Sequence, residues 1–224
     1  MTAEAVTQEA GHARYTFRVR LSSSARRLLE AEWDRCRWVW NESVAKSRQV
    51  HRHNKATGEK RTCGPAQLDK MLTEARARTP WLAAGSSVAQ QQVIRDFGKS
   101  RAKALKDIKD RLPMRQRAGM PRWKTKREAA PSLNYTRRGF RLKDGRLHLA
   151  GGIVVRPVWS RELFAAPSSV RVYRDAVGHW QASFVVVVQV EPLPETGRAI
   201  GVDWGVKQTA TTTSDTHDLP HAGH

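Results

Sequence analysis

One carboxylate in this sequence stands where metal chemistry could be built. The run Arg198-Ala199-Ile200-Gly201-Val202-Asp203-Trp204-Gly205 puts Asp203 at the end of an apolar segment that reads as a strand, and Gly205 lets the chain reverse two residues later. A carboxylate there is costly to bury unless it ligates a cation or accepts strong hydrogen bonds. As a hard oxygen donor Asp203 suits Mg²⁺. The same strand–Asp–Gly opening also serves nucleotide phosphotransfer, and an aspartate that only makes a β-turn is the plainer alternative. Asp215 and Asp218 lie in a polar tail and lack this setting.

The second constellation is cationic. Between Arg95 and Arg127 there are 13 Lys or Arg against three Asp. Lys99, Lys103 and Lys106 fall on one helical face with Asp110, opposite an apolar stripe that Arg101 interrupts. Past Pro113, Arg115, Arg117, Arg122, Lys124, Lys126 and Arg127 surround Trp123 in a Gly/Pro-broken stretch that is no solvated helix face. Cations spaced along a chain release counterions from phosphates, and a Trp or Arg plane stacks on an exposed base. These residues, with Arg37 upstream, are the candidate nucleic-acid contacts. His51, His53, His217, His221 and His224 have no metal-ligand spacing and read as solvated.

Composition supports this reading. The 224 residues carry 40 Lys+Arg and 21 Asp+Glu, a formal net charge of +19, which makes a polyanion the expected partner. Membrane attachment needs an amphipathic anchor or a long apolar run, and the longest apolar run, Val185–Val188, is strand-sized. Met1–His12 has no apolar stretch of the secretory kind, and Cys36 and Cys63 form no CxxC pair, so free thiols in a reducing cytoplasm are expected.

The elements that must position these residues follow from periodicity. Residues 1–13 read as a disordered leader and Tyr15–Leu21 alternates as a strand. Ser22–Ser24 can cap a helix whose apolar face is Leu29, Trp33, Cys36, Trp40 and Val44. Arg48–Gly64 reads as a loop, Pro65–Arg78 as a second helix ended by Thr79-Pro80. A third helix starts near Ser86 or Ser87, with Val93 or Ile94, Phe97, Ala104 or Leu105, Ile108 and Leu112 facing inward until Pro113. Short β runs follow: Phe140–Leu142 and Arg146–Leu149 around a Lys143-Asp144-Gly145 hairpin, then Ile153–Val158, Ser169–Arg174 and Trp180–Val190. Glu191–Glu195 reads as a linker, and Val206–Thr213 as the partner of the Ala199–Asp203 strand.

In this order the segments resemble the TnpB (OrfB) family of insertion-sequence proteins, relatives of the type V CRISPR nucleases. Cys36-Arg37-Trp38-Val39-Trp40-Asn41 resembles the family's "CRFVYN"-like signature; Pro80-Trp81-Leu82 with Ser87–Gln91 resembles "PWL…s-x-a-lQ". Gly119–Lys126 resembles "GFPRFKSK", and Ala199–Thr211 the first RuvC motif, "xxGIDLGVKxxAT". The resemblance implies an α+β fold: a β-barrel wedge domain (14–21 and 113–192), an inserted helical recognition domain (22–112), and from 197 to 224 the beginning of a RuvC/ribonuclease-H-like domain. It implies a transposable-element protein of the kind called a transposase, one that binds guide RNA and target DNA and cuts DNA with Mg²⁺ at Asp203 and further carboxylates. The second and third acidic motifs and the four-cysteine zinc element find no counterpart in these 224 residues. The expectation is therefore a catalytically incomplete, truncated member; a non-catalytic repressor of the same stock is the alternative, and an actin-like phosphotransferase fragment a distant third.

Overall fold

The computed structural model describes residues 10–189, 197, 199–205 and 208–220. They fall into two compact units, one spanning Ala10–Val188 and the other holding the described residues from Gln189 onward.

The larger unit opens with β1 (Ala10–Arg20), in which Phe17 and Val19 are buried between exposed Arg18 and Arg20. The strand therefore begins within the segment expected to be a disordered leader; residues 1–9 lie outside the described residues. Helix α1 (Ser23–Thr57) starts where the serines predicted, with the Ser22 hydroxyl accepting from Ala25 N at 3.1 Å. It runs on through the stretch expected to be a loop and stops at Gly58, whose φ of 73° only glycine adopts readily. The missing apolar periodicity after Arg48 has a physical cause: this half of the helix is largely solvent-facing. Its end is fixed by polar contacts instead, Asn54 Nδ2 donating to Arg61 O (2.8 Å) and Arg61 N to Asn54 Oδ1 (3.1 Å). His51 and His53 thus sit on a helix, the latter 2.9 Å from Glu59 Oε2.

Helix α2 (Pro65–Arg78) and the single turn α3 (Pro80–Ala83) lead to α4 (Ser87–Lys109), which is capped by the Ser86 hydroxyl. Buried Glu32 ties α1 to that cap, accepting from Ser86 N at 2.9 Å and from Arg35 at 3.2 Å; burial pushes its carboxyl up despite these donors. On α4, Ile94, Phe97 and Ala104 are buried as expected, but Leu105 and Ile108 are 41% and 47% exposed.

Strands β2 (Ser132–Thr136), β3 (Phe140–Lys143), β4 (Arg146–Leu149), β5 (Ile153–Pro157), β6 (Ser169–Arg174) and β7 (Trp180–Gln189) join β1 in a seven-stranded sheet of order β2-β6-β7-β1-β5-β4-β3. Its edge strands are consecutive in sequence and joined by the single turn Arg137–Gly139, so the chain draws the edges together into a nearly closed, barrel-like sheet. Gly139 is needed there, since a Cβ would meet Val88 Cγ1 of α4 at 2.9 Å. The β3–β4 turn has φ of 50° at Asp144 and 67° at Gly145, the mirror-image turn that suits the strands' twist. Val190 and the expected linker Glu191–Glu195 lie outside the described residues.

Two apolar clusters form the core. Leu29, Trp33 and Cys36 of α1 join the inward residues of the strands, among them Phe17, Leu147 and Phe184. One turn further, Val39 and Val44 join Leu68, Leu72, Ile94 and Phe97 of α2 and α4. Helix α1 is the spine shared by both. Cys36 and Cys63 are buried free thiols, Cys36 pushed well up by burial.

In the smaller unit, β8 (Val202–Asp203) pairs antiparallel with β9 (Gln208–Thr212), and β9 with β10 (Leu219–Pro220). Strand β8 is two residues long and exposed, where an apolar strand over Ala199–Asp203 was expected. The tail also has more order than its polarity implied: the Asp218 carboxylate accepts from Thr212 N at 2.6 Å and Thr212 Oγ1 at 3.0 Å. Among the described residues no helix is long and apolar enough to cross a membrane.

Candidate nucleic-acid interface

The cationic segment after α4 has little regular structure of its own beyond one 3₁₀ turn at Met114–Gln116, and α1 holds it in place. Asn41 takes Lys124 from both sides of its backbone: Asn41 Nδ2 donates to Lys124 O at 3.1 Å, and Lys124 N donates to Asn41 Oδ1 at 2.8 Å. Next to it, Trp40 Nε1 donates to Arg122 O at 2.8 Å. The Lys124 ammonium then lies 3.7 Å from the Trp40 ring centroid and 5.5 Å from that of Trp33. Burial pushes its pKa down from the ordinary lysine range, with Asp96 opposing. A charge inside an aromatic box is attracted by the ring faces and is poorly placed to meet a phosphate. The structure gives Lys124 an anchoring role, through its backbone bonds and its place against the two rings.

The start of the segment is anchored by Asp107 of α4. Its buried carboxylate accepts from Ala118 N at 2.7 Å and lies 3.6 Å from Lys103 Nζ; the Ala118 bond, with Lys103 adding, holds it below the usual carboxylate range. Arg117 is half-buried, its Nε donating to Leu112 O, and it too serves the turn. Asp34 of α1 gathers Arg37 (3.2 Å) and Lys126 (3.5 Å), partly neutralising both.

With those anchors in place, the remaining cations face outward. Lys99 and Lys106 are exposed on α4 and Arg115, Arg122 and Arg127 on the segment; Lys103 and Lys126 are exposed as well, each beside its carboxylate. Trp123 is 45% exposed, with the Arg48 guanidinium 5.8 Å from its ring centroid. Arg101, whose Nε donates to Ser47 Oγ at 3.0 Å, reaches toward α1. There it borders a groove of about 780 Å³ between α1, α4 and the segment, with Arg48, Arg52 and Arg122 on its other margins and no Asp or Glu among its lining residues. Arg48, His51 and Arg52 escaped the sequence reading because they were assigned to a loop; as helix residues they line a wall. Trp40 and Asn41 were legible as a motif, but their role needed the partner segment, 82 and 83 residues away.

Asp203 belongs to the smaller unit. It is exposed on β8 opposite Thr211, and among the described residues no three His, Cys, Asp or Glu come together as a ligand set. Asp218, the other carboxylate of the unit with described contacts, is spent on Thr212. A single exposed carboxylate does not fit a catalytic Mg²⁺, which needs several fixed ligands, so no metal step is derived from these residues.

No family model matches the sequence. A protein of Streptomyces pristinaespiralis described as a "Putative RNA-guided DNA endonuclease" is 31% identical over 159 residues, which is 69% of this chain and 37% of that protein. The chain thus spans well under half the length of this relative. Among solved structures, the cryo-EM structure of a Cas12f1–sgRNA–target DNA complex aligns over 96% of this chain and 55% of that one, at 12% identity and a TM-score of 0.40; a likeness this slight decides neither fold nor function. By this sequence relationship the chain is related to the RNA-guided nucleases of the TnpB and type V kind.

Proposed function

We propose that this chain is the nucleic-acid-holding portion of a transposon-encoded RNA-guided DNA endonuclease, binding a guide RNA and helping to engage target DNA in the cytoplasm. In this reading the seven-stranded barrel is the wedge domain, α1–α4 the recognition domain inserted into it, and the β8–β10 hairpins the start of a RuvC-like domain in which Asp203 is the first of several carboxylates. Mg²⁺ would act only with ligands from outside this set, so the chain by itself binds and does not cut.

One observation carries the reading: the cationic segment is held on α1 by backbone-directed bonds from Trp40 and Asn41, with Arg115, Arg122 and Arg127 exposed on it. Contacts of this kind suit phosphates better than base edges, so sequence selection would come from base pairing with the guide. Filter binding of a structured RNA across a salt series tests it. The expected result is a steep fall of affinity with salt, and replacing Lys99, Lys103 and Lys106 by Ala should reduce the log–log slope by about two. A flat salt dependence would refute the reading. Incubation with DNA, RNA and Mg²⁺ should give no cleavage; cutting abolished by Asp203→Ala would refute that part alone.

A further inference from the structure

The groove bordered by Arg48, Arg52, Arg101 and Arg122 has an apolar floor, and in a chain of net charge +19 that combination asks for an explanation. Val44 and Phe97 lie at its base, buried; Leu105, Ile108 and Met120 line its walls and are 41%, 47% and 42% exposed. Periodicity assigns Ile108, and either Ala104 or Leu105, to the inward stripe of α4; Ala104 is buried, while Leu105 and Ile108 stay partly open among the described residues. Only their Phe97 end reaches the core, where the ring meets Trp40 edge-on at 5.5 Å. At about 780 Å³ the groove is within the ~300–1,000 Å³ range of small-ligand clefts.

We propose that this groove takes an unpaired nucleotide: the base lies against Phe97, Leu105, Ile108 and Met120, while the flanking phosphates meet the four arginines. Charge complementarity selects the occupant. Four arginines and a set of apolar side chains share the lining, matching a strand that carries both phosphates and bases. Arg101 is pre-oriented by its bond to Ser47, and Trp123 beneath Arg48 extends the stacking surface beyond the rim. Apolar contact of this kind does not depend on sequence, because every base has an apolar face. The inference rests on the nucleic-acid reading above and adds to it a site that distinguishes bases from bare phosphate.

The test compares a short oligouridylate with an abasic ribose-phosphate oligomer of equal length and charge, using the full chain. Wild-type protein should bind the oligouridylate about tenfold more tightly. The double variant Leu105→Ser/Ile108→Ser changes exposed side chains, and its fold is checked by circular dichroism and thermal unfolding. It should lose that preference while keeping the wild-type salt slope. Equal binding of both oligomers by the wild type, with a steep salt slope, would overturn the groove proposal and leave the polyanion reading standing. A preference that survives in the double variant would overturn it as well. Displacement by a leucine-containing oligoglutamate at concentrations matching oligouridylate would assign the groove to a peptide and reject the nucleotide. Absence of any salt-dependent binding would overturn both readings together.

Discussion

Asn41 satisfies the N–H and the C=O of Lys124 at once, so its loss removes two hydrogen bonds and strands two backbone groups. Asn41→Ala should cost about 2 kcal/mol in urea unfolding, and the Lys124 amide should lose its protection from hydrogen exchange while amides of the strands keep theirs. Asp107 is a second anchor with a pH signature. Its folded pKa is depressed, chiefly by the Ala118 N–H, so its contribution is present above the unfolded value near pH 4 and is lost as pH falls through the folded one. Asp107→Asn keeps an acceptor for Ala118 N but cannot titrate. The stability gap between wild type and variant should therefore narrow in acid below about pH 4, as read by denaturation at stepped pH. A gap independent of pH would mean that the carboxylate's charge plays no part.

Helix α1 is the element on which the rest depends. Its first half closes the barrel core through Leu29, Trp33 and Cys36, its middle builds the helical core through Val39 and Val44, and its last turns carry Arg48 and Arg52 to the groove. The barrel's dependence on turn chemistry is separable from this. Gly145 sits at φ 67° in a turn whose other central residue is also left-handed, so Gly145→Val should destabilise by about 1–2 kcal/mol in urea without altering RNA affinity. Loss of binding in that variant would tie the β3–β4 hairpin directly to the ligand.

Among the described residues, exposed Lys and Arg lie on the sheet strands as well as on the helices, and carboxylates pair with some of them. Asp34 and Asp107 neutralise the cations nearest the anchors, and Trp33 with Trp40 shelters Lys124, while the outer face of α4 and the margins of the groove stay positive. The expected consequence is affinity that tracks ionic strength, with the lysines of α4 accounting for part of the slope and Lys124 for almost none. Lys124→Met should thus leave the salt slope unchanged, which a binding series across ionic strength would establish directly.

Local chemistry in the sequence was enough to mark the capping serines, Pro65–Arg78, the Asp144-Gly145 turn and the strands from Phe140 to Arg174, because each is set by dihedral preference or by burial with a short period. Charge density pointed to a polyanion in the same way, since net charge needs no fold to be read. What tertiary structure alone decided were matters of partnership across long separations. Arg48 to Thr57 is helical although its residues show no apolar period, because the return through Arg61 secures its end. Lys124 became an anchor because Trp40 lies beneath it, and Leu105 with Ile108 became groove walls because no neighbour arrived to bury them. A pattern of residue types records what each side chain prefers, whereas which preference is met depends on what the fold brings alongside.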